Sequence, residues 1–337
     1  MALPQSHPST PGPGLRPVDS ERYRSAQAAE AAFDFQQAHV GRPETESLRY
    51  RLSRPAAAAV KWAAQSYGSL TAGRRATPDF LVIGAKRAGS TTLYRGLVDA
   101  GGIAPMFPRR ENRKGVYFFD VHHSRGRRWY LGHMATRASL VGNGSVATVV
   151  GEASPYYLSH PLAAQRAAAL LPDAKIVAVL RDPIERAHSH YRERWKQGVE
   201  YLESFDEAVE AENERLAGEV ERMLADPTYV SWNHLNFGYL EQSRYGTTLG
   251  RWYEHFPADQ ILVLRAEDLY GDPATVINQV RSFIGLPTAV DIDVAHHNKL
   301  EPGRISPHTV EYLRTQLAPE VQRLEELIGR PMGWAVK

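Results

Sequence analysis

The chain has 337 residues, enough for one large α/β domain with an extension, and is 43% hydrophobic, enough for a sizeable core. Forty Lys and Arg against 38 Asp and Glu leave a net charge of +2, which excludes a protein built to coat nucleic acid but not a local basic cluster for a small polyanion. There is no cysteine, so disulfides, thiolate metal sites and thiol nucleophiles are excluded.

Residues 1–20, rich in Pro and Gly, read as a disordered leader without the apolar core of a secretory signal. Residues 21–77 carry Ala- and Arg-rich stretches with helical spacing and read as a helical N-terminal extension. Its Leu48, Leu52, Val60, Trp62 and Leu70 are candidates for packing on the domain or on a partner. No run of about 18 apolar residues occurs, so no integral membrane segment is expected, and a cytoplasmic location is the simplest expectation. The main domain is expected over 78–337. Asn143-Gly144-Ser145 fits a glycosylation sequon but is expected to be a plain turn.

Phe80 to Ile83 is a short apolar run ending at Gly84, the pattern of a buried strand. Ser90, Thr91 and Thr92 are expected to cap an amphipathic helix through Leu93 and Leu97. Val146–Val150 is a second strand candidate, and a helix is expected from Leu162 to Leu171. Lys175–Leu180 has the strongest parallel-strand pattern, and Arg181-Asp182-Pro183 opens the next helix. A Glu-rich helix is expected over 203–224. Gln260–Leu264 is a further strand, followed by helices over about 273–284 and 307–328. Alternation of strands and helices predicts an α/β fold, a single domain with a central parallel sheet flanked by helices.

The segment Gly84-Ala85-Lys86-Arg87-Ala88-Gly89-Ser90-Thr91 lies between a strand and a helix, where backbone N–H groups can turn toward an anion. Lys86 and Arg87 add charge, and Ser90 and Thr91 add hydroxyls. The spacing imitates a Walker loop, but Ser90 stands where the Walker lysine belongs, so a nucleoside triphosphatase or kinase would lack its γ-phosphate contact.

Arg87-Ala88-Gly89-Ser90-Thr91 resembles the 5′-phosphosulfate loop of the sulfotransferase superfamily that uses 3′-phosphoadenosine-5′-phosphosulfate (PAPS). The run from Lys175 to Tyr191, with Arg181 at the strand end and Ser189 two turns along the helix, resembles the family's 3′-phosphate motif. Arg181 offers a planar fork to phosphate, and Ser189 can return over the same anion. Lys114-Gly115-Val116-Tyr117-Phe118-Phe119-Asp120 is similar to the family's Lys-Glu-x-His/Tyr-Phe-Phe segment, and Gly151 to Tyr157 to its Gly-Glu-x-[ST]-Pro-x-Tyr segment. Gly303-Arg304 and the helix before Trp334 resemble the closing segment of heparan-sulfate-type members, and Tyr239 to Tyr245 a bacterial branch.

The resemblance covers about residues 78–334. It implies a P-loop-like fold and transfer of a sulfuryl group from PAPS to a hydroxyl or amine, leaving PAP, with no metal. The cofactor contacts it implies are Lys86, Arg87, Ala88, Gly89, Ser90, Thr91, Thr92, Arg181, Ser189, Gly303 and Arg304. Lys114, Tyr117, Phe118, Tyr156, Trp232 and Tyr239 are candidates for the acceptor side. The balanced charge points to a carbohydrate or small-molecule acceptor such as a glycoside, a lipid-linked sugar or a secondary metabolite. One departure matters: Gly115 stands where heparan-sulfate-type enzymes carry a catalytic glutamate. Glu111 is the first substitute, followed by Glu152, Asp120, His122 and His123, with Arg87, Lys86 and Lys114 stabilising charge. The missing acid also leaves a non-catalytic PAP-binding protein as an alternative.

Overall fold

The computed structural model describes residues 59–60, 62–108, 114–141, 149–289 and 305–334. Short apolar runs bounded by turn residues form its strands: β1 (Phe80–Gly84), β2 (Ile103–Ala104), β3 (Val149–Ala153), β4 (Lys175–Leu180) and β5 (Ile261–Arg265). All neighbours pair in parallel, in the order β2-β3-β1-β4-β5. β1 is buried along its whole length, as a central strand covered on both faces must be.

Parallel strands need crossover connections, and helices supply them. Besides a short helix over Arg137–Val141, in chain order the helices are α1 (Ser90–Asp99), α2 (Gly126–Leu131), α3 (Ala163–Leu170), α4 (Pro183–Lys196), α5 (Phe205–Leu216), α6 (Glu219–Ala225), α7 (Trp232–Phe237), α8 (Tyr245–Tyr253), α9 (Ala266–Gly271), α10 (Pro273–Phe283) and α11 (Pro307–Ile328). α4 starts where the sequence demands: Pro183 occupies its first turn, and the Asp182 carboxylate accepts from the N–H groups of Ile184 and Glu185. The Glu-rich stretch expected as one helix is two, because Gly218 turns left-handed (φ 73°) between α5 and α6. Ser90, Thr91 and Thr92 form the first turn of α1 rather than its cap; that place belongs to Gly89, at φ 94°. β2 was not expected from the sequence, being a two-residue edge strand with too short a pattern to read.

Residues 62–70 are helical, and the chain after them is tied to the domain. Arg75 is buried; its guanidinium donates to the Met134 carbonyl at 2.5 Å and lies 4.4 Å from the Phe107 ring centre. The Ala76 N–H bonds the Ala135 carbonyl at 3.0 Å. The expected leader and most of the expected extension lie outside the described residues.

The chain leaves β1 toward β3 and β2 on one side and returns to β4 on the other. In open α/β sheets a ligand crevice forms at such a reversal, outside the carboxyl ends of the strands.

Candidate active site

The carboxyl end of β1 runs into the loop 85–89. The Ala85 N–H bonds the Val179 carbonyl on β4 at 2.6 Å, holding the loop against the neighbouring strand. Arg87 sits at φ 72°, a conformation an arginine adopts at a cost of order 1–3 kcal/mol and keeps where its surroundings require it. Its side chain crosses to α4. There Nε donates to Ser189 Oγ at 3.2 Å and a terminal nitrogen pairs with Glu193 at 2.8 Å. Lys86 turns the other way, and its Nζ donates to the Leu235 carbonyl of α7 at 2.9 Å. Lys114 Nζ donates to Thr91 Oγ1 at 2.7 Å and lies 3.4 Å from Ser90 Oγ.

Positive charge dominates this crevice. Burial, reinforced by Arg194, holds the Lys86 amine well below its ordinary value, and burial lowers Lys114 to about 8. Burial alone would raise the Glu193 carboxyl, but Arg194, Arg87 and Lys86 outweigh it and hold the group ionised, at about 2. Arg194 also donates to Asn236 Oδ1 at 2.9 Å, and Arg186 donates to Ser243 Oγ at 2.8 Å and to the Tyr239 carbonyl. One guanidinium nitrogen of Arg186, Nε of Arg194 and both ring nitrogens of His190 are buried without a hydrogen-bond partner. Glu193 already pairs with both Arg87 and Arg194, so the guanidinium donors left over are one nitrogen each of Arg186 and Arg194. Arg181, just after β4, makes one side-chain ion pair among the described residues, with Glu185 at 3.1 Å, and 27% of its side chain is exposed.

Residues 77–304 match the sulfotransferase domain family. The chain belongs to that family. This sulfotransferase is 25% identical over 328 residues to the membrane-associated sulfotransferase kil1 of Dictyostelium discoideum, across 76% of this chain and 66% of that protein. It is 31% identical over 212 residues to the human bifunctional heparan sulfate N-deacetylase/N-sulfotransferase 3, across 62% of this chain and 22% of that one. It thus spans less than two thirds of the length of these curated relatives. A sulfotransferase structure from Alicyclobacillus acidocaldarius matches with a TM-score of 0.56 at 28% identity, covering 76% of this chain and 98% of that one. The family chemistry is sulfuryl transfer, and this chain is a transferase of that kind.

The 114–118 segment is held in place by Glu152. This carboxylate, fully buried on β3, accepts from the Val116 N–H at 2.9 Å, Ser154 Oγ at 2.8 Å and the Tyr157 hydroxyl at 2.8 Å. Glu152 was a candidate catalytic group; with its oxygens committed, it is instead the anchor of the 114–118 segment. Gly115 is equally committed, since a Cβ there would lie 2.3 Å from the Ala153 carbonyl oxygen and 2.4 Å from Ser154 Oγ. A side chain larger than hydrogen at that position has no room. Tyr117 adopts φ 54°, and its N–H donates to Ser154 Oγ at 2.9 Å.

Several acceptor candidates are core residues. Phe118 stacks on Tyr130 at 4.5 Å. Tyr239 is fully buried against His190, and its hydroxyl donates to Glu200 at 2.7 Å. Trp232 is buried. Burial of their rings removes them from direct contact with an acceptor in this conformation. Tyr156 is buried too, but in a small cluster with Tyr117, Val121, Val230 and Leu235, bonded to His234 Nδ1 at 2.7 Å. Ala88 of the loop and Thr92 of α1 have buried side chains. Glu111, Gly303 and Arg304 lie outside the described residues. Sequence reasoning missed Glu193, Arg194, Arg186 and Asn236. The signal for Glu193 was present: it follows Ser189 by one helical turn, so both project from one face of α4.

Proposed function

We propose that the protein moves the sulfuryl group of PAPS to a hydroxyl or amine on a carbohydrate or small-molecule acceptor and releases PAP. The observation that carries this reading is the hydrogen bond between Arg87 and Ser189. It joins the loop assigned to the 5′-phosphosulfate to the helix assigned to the 3′-phosphate, so one ligand with two separated anionic ends fits both. The amides of residues 86–90 with Ser90 and Thr91 hold the 5′-phosphate, while Arg181 and Ser189 take the 3′-phosphate. In the transfer, the bond from sulfur to the 5′-phosphate oxygen breaks as the bond to the acceptor oxygen or nitrogen forms, and the acceptor proton passes to a base. Lys86, Arg87 and Lys114 neutralise the charge that gathers on the departing phosphate. Gly115 has no space for an acid and Glu152 is saturated, so we assign the proton to Glu111, the nearest remaining carboxylate in the sequence before that segment.

Incubation with labelled PAPS and an extract of the source organism, read by mass spectrometry, should reveal an acceptor heavier by one sulfuryl group. Greater thermal stabilisation by ATP with Mg²⁺ than by PAP would overturn the assignment in favour of a kinase.

A further inference from the structure

Between Ser47 and Pro78, and again between Val121 and Gly151, the sequence contains no Asp or Glu. The fold lays the described parts of these two stretches side by side. Gly68 and Gly132 meet backbone to backbone, so closely that a Cβ on Gly68 would lie 2.5 Å from the Gly132 carbonyl oxygen. Arg75 pairs with Thr136 in an antiparallel bridge. The joint surface is both apolar and cationic. Trp62, Tyr67 and Leu70 are 71%, 55% and 76% exposed, against the tendency of such residues to be buried. Arg74, Arg127 and Arg128, in the same two stretches, are exposed as well.

We propose that this face docks on an anionic lipid bilayer. The charge complementarity is one-sided: exposed arginines without a single intervening carboxylate in either stretch suit a surface of uniform negative charge. A second copy of the chain would instead set these arginines against each other. Exposed Trp and Leu beside them suit insertion at the headgroup level, where an aromatic ring and an aliphatic side chain both gain. Two weak signals acting together are what reversible membrane attachment requires. On its inner side α2 packs against the 114–118 segment, where Phe118 stacks on the buried Tyr130.

The test is cosedimentation of the full chain with vesicles of phosphatidylcholine containing about one third phosphatidylglycerol, with pure phosphatidylcholine as control. Binding is expected only to the anionic vesicles, and it should fall steeply as salt rises. The double variant Arg127→Glu/Arg128→Glu should weaken it at least tenfold, since each arginine near such a surface contributes on the order of fivefold. Trp62→Ala/Leu70→Ala should weaken it with less effect on the salt dependence. PAP binding and melting temperature of both variants should match the parent, which separates loss of docking from loss of folding or of the PAP site. Equal binding to both vesicle types, or indifference to these substitutions, would overturn the proposal. So would a concentration-dependent dimer, seen by sedimentation velocity, that the same substitutions dissolve.

Discussion

At Glu193 the crevice already holds a negative charge, and it is bonded to the guanidinium that should meet the cofactor. An incoming phosphate competes with that carboxylate for Arg87. Glu193→Gln keeps the shape and removes the charge, so PAP affinity should rise severalfold, measurable by calorimetry. Arg181 makes only one exposed pair, so Arg181→Ala should leave the melting temperature unchanged and weaken PAP by about 2–4 kcal/mol, against about 1 kcal/mol for Ser189→Ala. Lys114 adds a pH dependence. Its folded value, about 8, lies below that of a free lysine, so the free protein loses this proton as pH rises through 8. PAP binds the charged form better, so affinity should decline above pH 8, and Lys114→Met should abolish that step in a titration of Kd against pH. At this scale the sequence was readable where one residue type has one use, as in Asp182 and Pro183 at the start of α4. It was silent about Arg87, whose side chain turns toward α4 because of a backbone angle that no pattern encodes.

The element that carries Lys114 is irregular, and its position depends on β3. Three donors converge on Glu152, two of them from neighbouring residues of the Gly151–Tyr157 stretch and one from Val116. The same segment ends at Asp120, buried, with one oxygen accepting from the Val121 N–H and the other without a partner. Burial raises that carboxyl to about 7, above the value near 4 expected in the unfolded chain. The unfolded state therefore gives up the proton first, and stability falls as pH climbs from about 4 to about 7, then levels. Asp120→Asn keeps the acceptor for Val121 and removes the ionisation. Its melting temperature should vary less between pH 5 and 7 than the parent's, and should lie higher at pH 7.5. Regular elements were legible from spacing, as for β4 and α11, because burial on one or both faces writes a period into the chain. The 114–120 segment has no such period, so its composition gave only a family likeness, and the aromatic side chains within it went to the core.

Across the whole molecule, ligand and fold are coupled through the crevice between β1 and β4. A ligand that bridges both strand ends stabilises only the folded chain. PAP at a hundred times its Kd should add about 2.7 kcal/mol, seen as a clear rise in melting temperature. The parallel sheet was legible because strands and helices alternate, whereas the docking of residues 62–77 on α2 was not. That contact depends on two glycines far apart in sequence, Gly68 and Gly132, and on a buried arginine among aromatic rings. Arg75→Ala should cost about 2–3 kcal/mol in chemical denaturation by removing both contacts.

Gly115 bears on the history open to this enzyme. Placing any side chain there sets a Cβ against the Ala153 carbonyl, a main-chain atom that trimming a neighbour cannot remove. Gly115→Ala alone should destabilise the protein by about 1–3 kcal/mol. A glutamate at this position is thus separated from the present sequence by a fitness valley. Crossing it calls for the end of β3 to shift first, which would also disturb the Glu152 anchor. If Glu111 takes the proton as proposed, a Gly115→Glu exchange should be tolerated only together with a change at the end of β3, and reconstructed ancestors should show the strand change before the acid.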